Sequence, residues 1–251
     1  MILSTPFVSH LPRFALVLCM VFAMTTGSLS AQPAEKDFRP LFNGSNLAGW
    51  KGDLAFWSVT DGAITGQTTA ERPAKGNTFL VWQGGDVKNF ELRAEFRLVP
   101  NNDKNFANSG IQYRSKIVDP ANWVVAGYQA DMDGDGKYVG MLYEEKGRGI
   151  VAMPGQQVRI SAGEQKPKID IAGVTTPPAD IAAAIRKSDW NEYVIIAEGT
   201  RLRHFVNGLL TADITDLDEK LATKSGVLAL QLHTGLPMTA QFKNIRLKVL
   251  P

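Results

Sequence analysis

Phe90-Glu91-Leu92-Arg93-Ala94-Glu95-Phe96-Arg97-Leu98 alternates between apolar and charged side chains along its whole length. Successive side chains of an extended chain point to opposite faces, so Phe90, Leu92, Ala94, Phe96 and Leu98 share one face and Glu91, Arg93, Glu95 and Arg97 the other. That is a half-buried β-strand whose charged face meets water, with a sugar-binding face as the second reading of such a row. Working outward, comparable runs recur at 57–64, 78–82, 110–115, 124–131, 138–143, 157–161, 193–198, 201–206, 226–233 and 239–249. Asn43-Gly44, Asp61-Gly62, Gly84-Gly85, Gly134-Asp135 and Asn207-Gly208 supply residues that accept the backbone angles of tight hairpins. Many short strands at this spacing predict an all-β sandwich or jelly roll. Only Pro178 to Lys187 reads as helix, with a proline at its start and cations at its end, and serves as a short connector.

The 251 residues suit one such domain behind a leader. Lys plus Arg number 27 against 25 Asp plus Glu, a balance that gives no electrostatic case for nucleic acid. One cysteine and three histidines exclude internal disulfides and zinc sites built from several Cys or His. There is no G-x-S-x-G elbow and no glycine-rich phosphate loop. Uncharged or weakly charged ligands are what this composition suits.

The amino terminus carries Arg13, an apolar run from Phe14 to Met24, then the small residues Ser28, Ser30 and Ala31. This is the pattern of a secretory signal peptide, and the apolar run is too short to span a bilayer. Residues 1–31 are expected to be removed on export to the periplasm or the medium, 32–37 to be a linker, and 38–251 to form the domain. The mature chain would then have no cysteine and two histidines, His204 and His233.

Several segments carry polar groups suited to chemistry. Asp131-Met132-Asp133-Gly134-Asp135-Gly136 has the alternate carboxylates of a calcium loop, but its twelfth position is Leu142 rather than a glutamate. A hairpin turn, a cation site of other geometry and a direct contact with substrate are the readings it allows. Tyr138 to Gly149 gathers Tyr143, Glu144, Glu145 and Arg148 around a glycine-framed turn. If Tyr143 ends a strand, Glu144 and Glu145 point opposite ways, and one at most enters a cleft. In Asn108-Ser109-Gly110-Ile111-Gln112-Tyr113-Arg114, alternation sets Gln112 and Arg114 on one face. His233, at the end of the Val227 to Leu232 run, shares a face with Gln231. A histidine there is either a hydrogen-bonded strand end or an acid–base group.

An ordered series of short motifs resembles one family: Leu41-Phe42-Asn43-Gly44 with Leu47, Gly49 and Trp50, Trp57-Ser58-Val59, Asp61-Gly62, Phe90-Glu91-Leu92, Asn108-Ser109-Gly110-Ile111, Gly127-Tyr128-Gln129-Ala130-Asp131, Trp190-Asn191, Val206-Asn207-Gly208 and Phe242-Lys243-Asn244-Ile245-Arg246. From about Phe38 to Leu250 the chain resembles the 3-keto-disaccharide hydrolases, also described as 3-keto-glucoside 1,2-lyase and 3-keto-2-hydroxyglucal hydratase domains. The resemblance implies a concanavalin A-like β-sandwich of an exporting bacterium that cleaves glycosides already oxidised at C3. The C3 ketone makes the C2 hydrogen acidic, C1 loses its substituent by β-elimination, and water adds back. Carried onto this sequence, Gln129, Asp131 and Arg114 are assigned to binding and polarisation and Glu144 or His233 to proton transfer. The expected catalytic set is therefore Glu144, His233 and Asp131, with Asn108, Arg114, Gln129, Tyr143, Arg148 and Gln231 binding a small 3-keto-glycoside. No cofactor is certain, and the resemblance leaves room for a divalent metal ion as electrophile. Asp133 and Asp135 depart from the family pattern. A non-catalytic carbohydrate-binding module and an ordinary glycoside hydrolase are the alternatives.

Overall fold

Apart from Met1, the computed structural model describes residues 36–251. The expected leader, residues 1–31, lies outside them. In chain order the strands are β1 (Arg39–Pro40), β2 (Trp50–Lys51), β3 (Trp57–Thr60), β4 (Ala63–Thr68), β5 (Thr78–Trp82), β6 (Phe90–Pro100), β7 (Asn108–Asp119), β8 (Val124–Asp133), β9 (Leu142–Glu145), β10 (Gly149–Ala152), β11 (Gln156–Ser161) and β12 (Lys168–Val174). After the helix α1 (Pro178–Ala184) come β13 (Asn191–Glu198), β14 (Arg201–Val206), β15 (Leu209–Asp216), β16 (Val227–Leu232) and β17 (Met238–Val249). A ten-stranded sheet runs β12-β11-β15-β14-β13-β6-β17-β4-β3, with β1 on β17, and a seven-stranded sheet runs β10-β9-β8-β7-β16-β5-β2. All pairings are antiparallel except β11 with β15.

The decisive stretch behaves as its alternation predicts. Phe90, Leu92, Ala94, Phe96 and Leu98 of β6 are buried between the sheets, together with Tyr193, Ile195, Tyr113, Leu230 and Phe242. On the outer face Glu91 pairs with Arg93 and Glu95 with Lys243, while Arg97 donates to Gln241 Oε1 and lies 4.9 Å from the Trp190 ring. The charged row is thus an ion-paired face turned away from the core. The expected helix ends at Ala184 rather than Lys187, because Ile185 is already extended.

The two faces of the seven-stranded sheet differ in chemistry. Tyr128, Ala130 and Met132 of β8 and Leu228, Leu230 and Leu232 of β16 enter the main core. Gln129, Asp131 and Gln231 alternate with them and point the other way. On that opposite face Phe79, Val81, Val125 and Ala229 form a second apolar cluster, with Trp123 packed against it. The β7–β8 turn reaches β5 there, where Phe79 N–H donates to Trp123 O at 3.1 Å. Its turn leaves one part of the face polar and open.

Candidate functional site

A cavity of about 260 Å³ opens on this polar part of the sheet. Gln129 and Asp131 of β8, Tyr143 and Glu145 of β9, Asn108 of β7, Gln231 at the end of β16 and His233 just beyond it line the cavity, joined by Asn77, Tyr138, Met141 and Ile150. The register explains the convergence: Gln129 lies opposite both Gln112 and Tyr143, and Gly110 lies opposite Asp131. Gly110 must be bare, because a Cβ there would stand 2.5 Å from Gln129 Cγ.

The floor is a chain of amides. Ser115 Oγ donates to Gln112 Oε1 at 2.8 Å, and Gln112 Nε2 donates to Gln129 Oε1 at 2.6 Å. Gln231 Nε2 donates to the same oxygen at 2.8 Å and to Glu145 Oε2 at 3.2 Å. Asn77 Nδ2 reaches Glu145 Oε2 at 3.3 Å while its own Oδ1 accepts from Thr234 N–H at 3.1 Å. Each amide is oriented by its neighbour, so the donors and acceptors that face the cavity are fixed before a ligand arrives. Gln231 Oε1 is buried and accepts no hydrogen bond from the described residues, a cost a ligand hydroxyl would remove.

Asp131 is the electrostatic centre. Burial pushes its carboxyl up to about 8, and nearby Asp133 adds to the rise; donors from the Met132 backbone, Gln129 and Asn108 oppose it. At neutral pH it carries a proton that it can give, close to the range where proton transfer is efficient. Tyr143 is also raised, by burial and then by Glu145 and Asp131, so its phenol stays a donor. His233 Nδ1 lies against the carbonyl oxygen of Thr234. A carbonyl can only accept, so Nδ1 carries the hydrogen and in the neutral ring Nε2 presents a lone pair. Phe106 holds the ring edge-on at 5.9 Å between centroids.

Three expected site residues lie elsewhere. Arg114 does not share a face with Gln112: β7 bulges between Tyr113 and Lys116, Arg114 takes φ 46°, and its side chain turns away. It is buried, donating to Lys88 O and Gly199 O, both at 2.7 Å. Glu144 and Arg148 are also withdrawn from the cavity. Tyr143 and Glu145 take the outer face of β9, which sends Glu144 inward to pair with Arg148. Arg148 in turn binds Asp216 Oδ2 at 2.6 Å, and Tyr128 donates to the same oxygen at 2.6 Å. This network ties the two sheets together. Glu145 stands where Glu144 was expected, and the sequence signal was the parity of the two residues on one short strand.

The acidic loop is a turn. Asp133 Oδ1 accepts from Tyr138 N–H at 2.8 Å and Oδ2 from Lys137 N–H at 3.2 Å, while Asp135 is exposed. Among the described residues no three His, Cys, Asp or Glu are grouped to hold a metal ion. No helix of the described residues is long and apolar enough to cross a membrane.

The profile of the 3-keto-alpha-glucoside-1,2-lyase-like domain matches residues 37–248. The chain belongs to that family. It is therefore a carbohydrate-active protein. No curated protein sequence matches the chain. Among solved structures, a candidate glycosyl hydrolase of Parabacteroides distasonis superposes with a TM-score of 0.55 at 20% identity, over 86% of this chain and 94% of that one. The carbohydrate-binding module CBM66 of Bacillus subtilis gives 0.51 at 18%, over 81% and 98%. A GlcNAcα1-4Gal-releasing endo-β-galactosidase of Clostridium perfringens gives 0.52 at 11%, over 86% and 64%. At these identities the likeness is one of fold, the concanavalin A-like β-sandwich.

Proposed function

We propose that this chain cleaves glycosides whose sugar is already oxidised to the ketone at C3, and that it is exported. The observation that carries the reading is the pairing, in one cavity of a 3-keto-glucoside lyase-like domain, of a carboxyl that burial keeps protonated with a histidine whose Nε2 lone pair is free to face a ligand. Such a pair divides the acid and base work of an elimination.

His233 Nε2 takes the proton from C2, which the C3 ketone acidifies. The electrons of the C2–H bond form the C1=C2 double bond as the C1–O bond breaks, and Asp131 gives its proton to the departing oxygen. Tyr143 donates to the C3 oxygen, where negative charge gathers. In the second half Asp131 takes a proton from water as its oxygen bonds to C1, and His233 returns a proton to C2. The net product is the free 3-keto sugar and both residues regain their starting states. Gln129, Asn108 and Gln231 support this course as preorganised partners for the carboxyl and for sugar hydroxyls.

Incubation in deuterated water with a 3-keto-glucoside and with the corresponding native glucoside tests the reading. Cleavage of the keto substrate with deuterium at C2 is expected. Cleavage of the native glucoside without deuterium would make it an ordinary glycosidase, and binding without turnover a carbohydrate-binding module.

A further inference from the structure

A second and larger cavity, of about 710 Å³, adjoins the first. Asn77 lines both. The second is walled by Leu54 and Phe56 on one side and by Asn122 and Trp123 on the other, with Lys75 at its edge. Leu54 is 73% exposed, and Phe56 and Trp123 are half-buried. Trp123 holds φ 54°, a backbone conformation that bulky residues rarely adopt and that tends to mark functional positions. Apolar and aromatic faces with amide and charged groups at their margins suit pyranose rings, whose C–H faces are apolar and whose rims are hydroxyls.

The junction is built rigidly. Thr234 N–H donates to Asn77 Oδ1 at 3.1 Å and Thr234 Oγ to Ala74 O at 2.6 Å, and the Thr234 carbonyl is the group that orients His233. Segment 74–77 thus separates the cavities and also anchors the proton-transfer histidine. A terminal 3-keto ring is joined to the rest of a glycan through its C1 oxygen alone, so whatever lies beyond the smaller cavity is the leaving group.

We infer that this groove binds the sugar rings on the leaving-group side, so that the preferred substrates are 3-keto-oligosaccharides rather than simple 3-keto-glucosides. The inference rests on the proposed cleavage of 3-keto-glycosides. Contacts made there are remote from the reacting bond, and through Asn77 and Thr234 they bear on His233; such binding energy raises kcat as well as lowering KM.

The test compares kcat/KM for maltotriose and cellotriose, each oxidised at C3 of the terminal non-reducing ring, with kcat/KM for the matching methyl 3-keto-glucosides. The wild-type ratio is expected to be tenfold or more for at least one pair. Leu54→Asp, which puts a charge on the exposed wall, and Ala121→Trp, which fills the groove from an exposed position, should each bring that ratio close to one. A wild-type ratio near one for both pairs, or a ratio that both variants keep, overturns the groove. If neither class of substrate is cleaved, the cleavage reading fails separately. Calorimetric titration with unoxidised maltotriose and cellotriose then decides: binding that both variants weaken tenfold keeps the groove, and no binding, or binding they leave unchanged, overturns it.

Discussion

At Asp131, one carboxyl bears on folding and, in the proposed reaction, on proton transfer. Its ordinary value is 3.8 and its folded value about 8, so between those pH values the unfolded chain is ionised while the native chain binds a proton. Native stability therefore falls as pH rises from about 4 towards 8. Asp131→Asn removes that penalty: it should raise the melting temperature, more at pH 8 than at pH 5, while lowering kcat on a 3-keto-glucoside by about 10²-fold or more. A variant that melts lower and retains turnover would contradict both roles. In the wild type, kcat/KM should decline above about pH 8, where the carboxyl has lost the proton that the proposed reaction draws on. Gln112 acts one step removed, by holding Gln129, whose side chain in turn stabilises the ionised form of Asp131. Gln112→Leu should move that alkaline limb to higher pH, and Gln112→Glu, which keeps the acceptor for Ser115 but loses the donor for Gln129, should do the same. An unmoved limb would leave Gln112 a packing residue. Alternation along β8 made the shared face of Gln129 and Asp131 readable in the sequence. Arg114 was unreadable by the same rule, because a single residue at positive φ flips every later parity.

At the scale of elements, β9 is the informative strand. The sequence predicts a strand over 138–143, whereas 134–140 is a turn pinned by Asp133 and the strand is Leu142–Glu145. That shift selects Glu145 for the cavity and Glu144 for the interior. Arg148→Ala would strand two buried carboxylates, Glu144 and Asp216, and should cost about 3–5 kcal/mol in urea unfolding. Glu144→Gln should lower stability too, yet leave turnover per folded molecule close to that of the wild type; a turnover collapse in a fully folded Glu144→Gln would restore it to the catalytic set. Strands β12 and β15 went unread for different reasons. β12 is an edge strand with Ile169 and Ile171 exposed, so its pattern has no buried side to reveal. In β15 an unbroken Thr211 to Ile214 stretch is buried and no alternation survives.

Across the whole molecule, the sheets are joined by polar contacts inside the core as well as by apolar packing. His204 of β14 is fully buried, with Tyr113 Oη 2.9 Å from Nε2 and Tyr193 Oη 3.3 Å from Nδ1. Burial pushes its imidazole down from 6.5 to about 4. Between those values the unfolded chain takes up a proton that the native chain refuses, so stability is retained above pH 6.5 and lost as pH falls towards 4, by about 3 kcal/mol. Asp131 acts in the opposite sense over the same range, so the contribution of His204 is read against His204→Phe: the difference in unfolding free energy between wild type and this variant should change by most of that amount between pH 7 and pH 4.5, in the direction that favours the wild type at pH 7. The sequence by itself determined the strand-rich class, the inner and outer rows of β6 and β8, the family, and Asn108, Gln129, Asp131, Gln231 and His233 as polar candidates. These follow from local periodicity and local chemistry, which a strand keeps wherever it is placed. The tertiary structure alone decided which of two adjacent glutamates lines the cavity, that Arg114 leaves the site, and that Asn77 joins Glu145, Gln231 and His233 around one cavity. Those outcomes depend on bulges, turn lengths and cross-strand register, set by the packing of two sheets whose paired residues are far apart in the chain.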